Sequence, residues 1–122
     1  MKKAKTILVI EDDEVQRELM SMTLKKRGYQ VLTAENGVYG YDQALDSPPD
    51  LIVTDINMPG ADGLHVVRRV RDTPELAGTR ILVTTGYGTG MAAFSLAEGA
   101  DGYEPKPLNS ESLLASVKRL LD

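Results

Sequence analysis

The chain contains no cysteine, which removes disulfides, thiolate metal sites and cysteine nucleophiles together. It has one histidine, His65, and a lone imidazole makes no metal site, so a surface or partly buried role is expected for it. No apolar run approaches the roughly 20 residues of a membrane-spanning helix. Met1-Lys2-Lys3-Ala4-Lys5 has the charge of a signal-peptide start, but Glu11-Asp12-Asp13-Glu14 interrupts the apolar stretch behind it, too early for an h-region. Positive charge is not in excess either. The 14 basic residues stand against 18 acidic, and a net charge of -4 argues against non-specific nucleic-acid binding and against an anionic membrane surface. These absences predict a cytoplasmic protein. No linker, low-complexity segment or internal repeat interrupts the chain, so residues 1–122 are read as one domain, long enough for a sheet covered on both faces.

What is present is alternation. Ile7-Leu8-Val9-Ile10 and Leu51-Ile52-Val53-Thr54 are short runs rich in β-branched residues, the pattern of fully buried strands in a parallel sheet. Residues 30–34, 80–84 and 102–104 read as three further strands. Between them lie amphipathic segments. Val15, Leu19, Met22 and Leu24 recur at helical spacing, with Glu14, Arg17, Glu18, Lys25 and Lys26 on the other side, and Gly28 stops that helix as a C′ glycine does. Residues 38–45 give a second helix. Leu64, Val67 and Val70 mark a third, with Arg68, Arg69 and Arg71 mostly in water. A fourth covers 91–98, and a last helix starting at Ser110 and Glu111 buries Leu113, Leu114, Val117, Leu120 and Leu121. Five β-α units in succession predict an α/β fold, a doubly wound parallel sheet with right-handed crossovers and helices on both faces.

The acids are the informative feature. Glu11 and Asp12 close the first strand and Asp55 closes the third, so neighbouring strands would bring all three to the carboxyl edge, where open α/β folds place their sites. Such a cluster repels itself, and its oxygens suit a hard divalent cation such as Mg²⁺. Thr84-Thr85-Gly86 ends the fourth strand and Lys106-Pro107 follows the fifth, adding a hydroxyl and an ammonium at the same edge. Acids, a cation, a hydroxyl and a lysine around one carboxylate suit phosphoryl transfer, in which every equatorial oxygen needs a positive or donor partner. Asp55 is then the nucleophile that forms an acyl phosphate. Asp13 and Glu14 read as the solvated first turn of a helix rather than as ligands.

Along essentially its full length the chain resembles the receiver domain of two-component response regulators. The resemblance is carried by Ile7-Leu8-Val9-Ile10-Glu11-Asp12-Asp13-Glu14, Asp55-Ile56-Asn57-Met58-Pro59-Gly60-Ala61-Asp62-Gly63, Thr85-Gly86 and Tyr103-Glu104-Pro105-Lys106-Pro107, in order and with matching spacing. It implies a flavodoxin-like five-stranded sheet of order 2-1-3-4-5. It implies that Asp55 is phosphorylated by a histidine kinase or a histidine phosphotransfer protein. Glu11 and Asp12 match the acidic pair of the Mg²⁺ site, with the Asn57 carbonyl as a further ligand. Thr85 matches the switch hydroxyl, Lys106 the lysine on the phosphoryl oxygens, and Tyr103 the aromatic switch. The Lys106–Pro107 bond is expected to be cis. The implied output is a downstream target protein bound on the face of the fourth helix, fifth strand and fifth helix, around Ala92, Tyr103 and Ser112.

Some positions depart from that pattern. Gly86-Tyr87-Gly88-Thr89-Gly90 makes a pliant loop one residue shorter than usual, and it lacks the spacing of a nucleotide cradle. Tyr87 is expected to restrict the attacking water and lengthen phosphoryl lifetime. The protein so read promotes its own phosphorylation and hydrolysis without being a conventional turnover enzyme. The rivals are a degenerate receiver that binds partners unphosphorylated and a small Mg²⁺-dependent aspartyl phosphohydrolase. The intact acids, Asp55, Thr85 and Lys106 speak against the first, and the short chain against the second.

Overall fold

Ile7, Leu8, Val9 and Ile10 are fully buried, and so are Leu51, Ile52, Val53, Ile81, Leu82 and Val83. Strands covered on both faces have no polar side, which is why these runs are continuously apolar. Each such side chain contributes about 2 kcal/mol by leaving water. In this computed structural model, which describes residues 3–56, 63–86 and 89–122 (the side chains of Thr89 and Met91 excepted), they form the centre of a five-stranded sheet. The strands are β1 (Thr6–Ile10), β2 (Gln30–Ala34), β3 (Leu51–Asp55), β4 (Arg80–Thr85) and β5 (Gly102–Pro105). Their order is β2-β1-β3-β4-β5 and every neighbouring pair is parallel. This is the flavodoxin-like arrangement expected from the sequence.

Five helices connect them: α1 (Glu14–Lys26), α2 (Gly37–Asp46), α3 (Gly63–Arg71), α4 (Thr89–Ala97) and α5 (Ser110–Leu121). A 3-10 turn, Pro74–Leu76, lies between α3 and β4 and escaped the sequence reading, being shorter than one helical period. Asp13, Asn36 and Asn109 cap α1, α2 and α5 by accepting first-turn backbone N–H groups. Gly28, at φ +92°, ends α1 as predicted.

Side-chain parity divides the core. Ile7, Val9, Leu51, Val53 and Leu82 meet Met20 and Leu24 of α1 and Leu113 and Val117 of α5. Leu8, Ile10, Ile52, Ile81 and Val83 meet α2 and α3 on the other face. By the same parity Glu11, Asp55, Thr84 and Glu104 belong to the α1–α5 face, and Thr85 and Tyr103 to the opposite one.

Two side-chain expectations are corrected. Of the stripe read as the core side of α1, Leu24 is buried but Val15, Leu19 and Met22 face outward, 68%, 57% and 54% exposed; Met20 and Ser21 are buried with Leu24 instead. Periodicity located an apolar face but could not distinguish it from a second one on the opposite side. Arg71 is not mostly in water either. Its Nε donates to Gly99 O, its Nη1 to Thr79 O and its Nη2 to Asp101 Oδ2, each at 2.8 Å, joining the end of α3 to the loops before β4 and β5. Arg69 lies over the Tyr41 ring, and Arg68 pairs with Glu98.

Candidate functional site

Because β1 and β3 are adjacent, the acids that follow one and end the other meet. Ligand-capable oxygens of Glu11, Asp12 and Asp55 all lie within 4.8 Å of one another. Glu11 is wholly buried and Asp55 nearly so, whereas Asp12 is exposed. Lys106 leaves β5 beside them, and its Nζ donates to Asp55 Oδ2 at 2.8 Å and to Glu11 Oε1 at 2.9 Å. One ammonium thus serves two acids.

Glu11 is fixed at every polar atom. Its Oε2 accepts from Asp13 N at 3.2 Å, its backbone N–H donates to Ala34 O, and its carbonyl accepts from Arg17 Nη1 at 2.8 Å. A buried carboxylate needs such partners, since losing water is otherwise uncompensated. Burial pushes the Glu11 carboxyl above its ordinary range, more than the Lys106 hydrogen bond pulls it down. Burial also draws Lys106 downward, but hydrogen bonds and charges from Asp55 and Glu11 outweigh it and hold the ammonium above its ordinary range. Both directions follow from a single cation divided between two acids.

The backbone closes tightly behind Asp55. Gly63 N donates to Ile56 O at 3.1 Å, and a Cβ at Gly63 would stand 2.0 Å from Asp55 O. Only glycine lets the start of α3 approach the strand end so closely. Thr85 ends β4 and is buried, and Lys106 N donates to Thr85 O at 2.8 Å, so the two share a backbone bond. The Lys106–Pro107 bond is cis. Tyr103 is partly exposed at the edge of the sheet, and His65 is exposed on α3. Asn57 and Tyr87 lie outside the described residues. On the face expected for output, Ser112 is exposed, but Ala92 is buried, because that side of α4 turns inward; its neighbours Ala93 and Phe94 are the exposed ones.

The structure brings Glu11, Asp12, Asp55 and Lys106 together at the carboxyl edge. The sequence pattern did not single out Arg17 and Asp13 as supports of Glu11, or Gly63 as the close contact. Arg17 lies six residues after Glu11 on the adjoining helix, a signal overlooked because an arginine on α1 reads equally well as a solvated face.

Sheet order and an acid–lysine edge define a doubly wound α/β protein with its site outside the carboxyl ends of the strands. Residues 7–118 match the model of the response regulator receiver domain, and the chain belongs to that family. It is a receiver domain of two-component systems. The response regulator MprA of Mycobacterium sp. (strain KMS) is 38% identical over 115 residues, covering 94% of this chain and 50% of that protein. The chemotaxis protein CheY4 of Vibrio cholerae superposes with a TM-score of 0.92 at 32% identity, covering 98% of this chain and 100% of that one. The receiver domain of the sensor histidine kinase PA1611 of Pseudomonas aeruginosa PAO1, whose structure has a magnesium ion in its active-site cleft, shares the fold at 23% identity, with a TM-score of 0.88 and 98% of each chain covered. The chain spans about half the length of the curated relatives it matches. Among the described residues no helix is long and apolar enough to cross a membrane.

Proposed function

We propose that this chain accepts a phosphoryl group on Asp55 from the phosphohistidine of a histidine kinase or a histidine phosphotransfer protein, in a Mg²⁺-dependent reaction, and that the modified form changes its affinity for a partner. The observation that carries the reading is Lys106 Nζ bonded to both Asp55 and Glu11 beside the exposed Asp12. An oxygen of Asp55 attacks phosphorus, the N–P bond of the donor breaks, and the imidazole leaves with a proton. Lys106 then passes from the Asp55 carboxylate to a phosphoryl oxygen, and Thr85 supplies a hydroxyl to another. Water later attacks phosphorus, restores the carboxylate and releases inorganic phosphate.

The donor set fits a hard cation: three carboxylates lie together, one ammonium pairs with only two of them, Glu11 and Asp55, and Asp12 opens to solvent. Glu11, Asp12 and Asp55, with the Asn57 carbonyl, would hold Mg²⁺, which when bound neutralises charge gathering on the phosphoryl oxygens. Leu19, exposed on α1, lines a groove of about 320 Å³ between α1 and α5 together with Met20, Lys106, Pro107, Leu108 and Leu113. An apolar helix of the phosphodonor seated there would bring its histidine to Asp55. The output surface is the α4–β5–α5 face, with Tyr103 and Ser112 exposed on it. Phosphorylation biases a two-state equilibrium on that face. Transfer of radiolabel from an autophosphorylated histidine kinase tests the proposal: wild type takes up label and Asp55→Ala does not. Label retained by Asp55→Ala would place the acceptor elsewhere.

A further inference from the structure

Two buried polar side chains on the α1–α5 face have no part in the site above. Thr84 is fully buried, and among the described residues its hydroxyl has no hydrogen-bond partner. Glu104 is 8% exposed, makes no ion pair among the described residues, and accepts a hydrogen bond from Ser116 Oγ of α5, itself buried. A carboxyl in a core and a hydroxyl left unpaired both oppose folding, so neither is explained by packing.

Register sets them in line with the phosphoacceptor. Asp55 pairs with Thr84 across β3 and β4, and Thr84 pairs with Glu104 across β4 and β5. Register partners in a parallel ladder lie on the same face, about 4.8 Å apart. Thr84 thus stands between two carboxyl groups with a single O–H to donate. We infer that Thr84 and Glu104 form a relay that carries the phosphorylation state of Asp55 across the sheet to α5; this rests on the receiver reading above. When Asp55 becomes an acyl phosphate, one of its oxygens is esterified and the other is a neutral carbonyl, a weaker acceptor than a carboxylate. The Thr84 hydroxyl, bonded to neither carboxyl in the resting chain, is then drawn to Glu104, the stronger remaining acceptor. Glu104, now shared by two hydroxyls, loosens its hold on Ser116, and α5 is freed from β5. The route is distinct from Thr85 and Tyr103, which occupy the opposite face by parity.

The test is hydrogen exchange of the α5 amides in the full chain, with and without acetyl phosphate and Mg²⁺, with intact mass reporting the phosphate on each sample. Wild type, Thr84→Val, Thr84→Ser and Glu104→Leu are compared. Thr84→Val keeps the shape and removes only the unpaired hydroxyl, so the fold survives. The relay predicts a severalfold rise in α5 exchange on phosphorylation of wild type, absent in Thr84→Val and Glu104→Leu at equal phosphate and restored in Thr84→Ser. An undiminished rise in Thr84→Val, or phosphorylated wild type with no α5 response, overturns the relay alone. Wild type that takes up no phosphate from acetyl phosphate or from a phosphorylated histidine kinase overturns the receiver reading and the relay with it, and the mass measurement separates the two failures.

Discussion

Lys106 Nζ lies 2.8 Å from Asp55 Oδ2 although 51 residues separate them in the chain. The same nitrogen is 2.9 Å from Glu11 Oε1, so the lysine bridges the ends of two adjacent strands from a third. Before any phosphoryl group arrives, it is the counter-ion that lets two buried acids coexist.

Removing it should therefore cost stability. Lys106→Met leaves Glu11 and Asp55 buried without their cation, and breaking a pair of this kind costs several kcal/mol when fully buried. Because the lysine is partly exposed and Glu11 can take up a proton, a loss of about 2 kcal/mol is expected near neutral pH. Urea unfolding of wild type and variant measures it, and an unchanged midpoint would contradict the assigned role.

Divalent cations should act in the opposite sense. A ligand that binds only the native state adds about 1.4 kcal/mol at ten times its Kd. For a domain of this size that raises Tm by about 4–8 °C. Asp12→Ala should shrink the Mg²⁺-induced shift, and thermal melts with a magnesium titration would show it.

The dependence on pH follows from Glu11. Its folded carboxyl sits above the ordinary 4.5, so between that value and its folded pKa the native state binds more protons than the unfolded chain. Stability without metal therefore falls as pH rises through that window. Lys106 contributes stability that is complete below 10.5 and is lost only as pH passes its raised folded pKa. Glu11→Gln should remove the acidic-side slope and leave the alkaline one. Metal requires the deprotonated acid, so Mg²⁺ affinity should weaken as pH falls through the Glu11 window.

Gly63 offers a steric test. Gly63→Ala places a methyl 2.0 Å from the Asp55 carbonyl, and neither backbone can yield without moving the strand end. A destabilisation of about 3 kcal/mol or more is expected, with loss of phosphorylation even in molecules that remain folded. Gly90→Ala, where an added Cβ meets nothing within 4 Å, should have little effect and serves as the control.

Much of this was legible in the residues because the strongest signals are local. Continuous apolar runs ending in Glu11-Asp12 and Asp55 give both buried strands and the charged edge they reach. Lys106 needed topology: the sheet order β2-β1-β3-β4-β5 sets the ends of β1 and β3 side by side, where one lysine reaches both acids. Where the reading failed, the cause was amphipathy with two faces. On α1 the exposed stripe Val15, Leu19 and Met22 is more apolar than the buried one, which includes Ser21. Ala92 was placed on the surface because alanine carries no preference strong enough to orient α4. The Arg71 clasp and the Thr84–Glu104 row depend on register and loop closure, which no single-segment pattern encodes.

The most direct measurement is the intact mass of the protein after acetyl phosphate treatment, with and without Mg²⁺, for wild type and Asp55→Asn. The account predicts a single labile phosphoryl group that requires Mg²⁺ and is absent from Asp55→Asn. A phosphate equally present on Asp55→Asn, or no phosphate on wild type with either this donor or a phosphorylated histidine kinase, would contradict it.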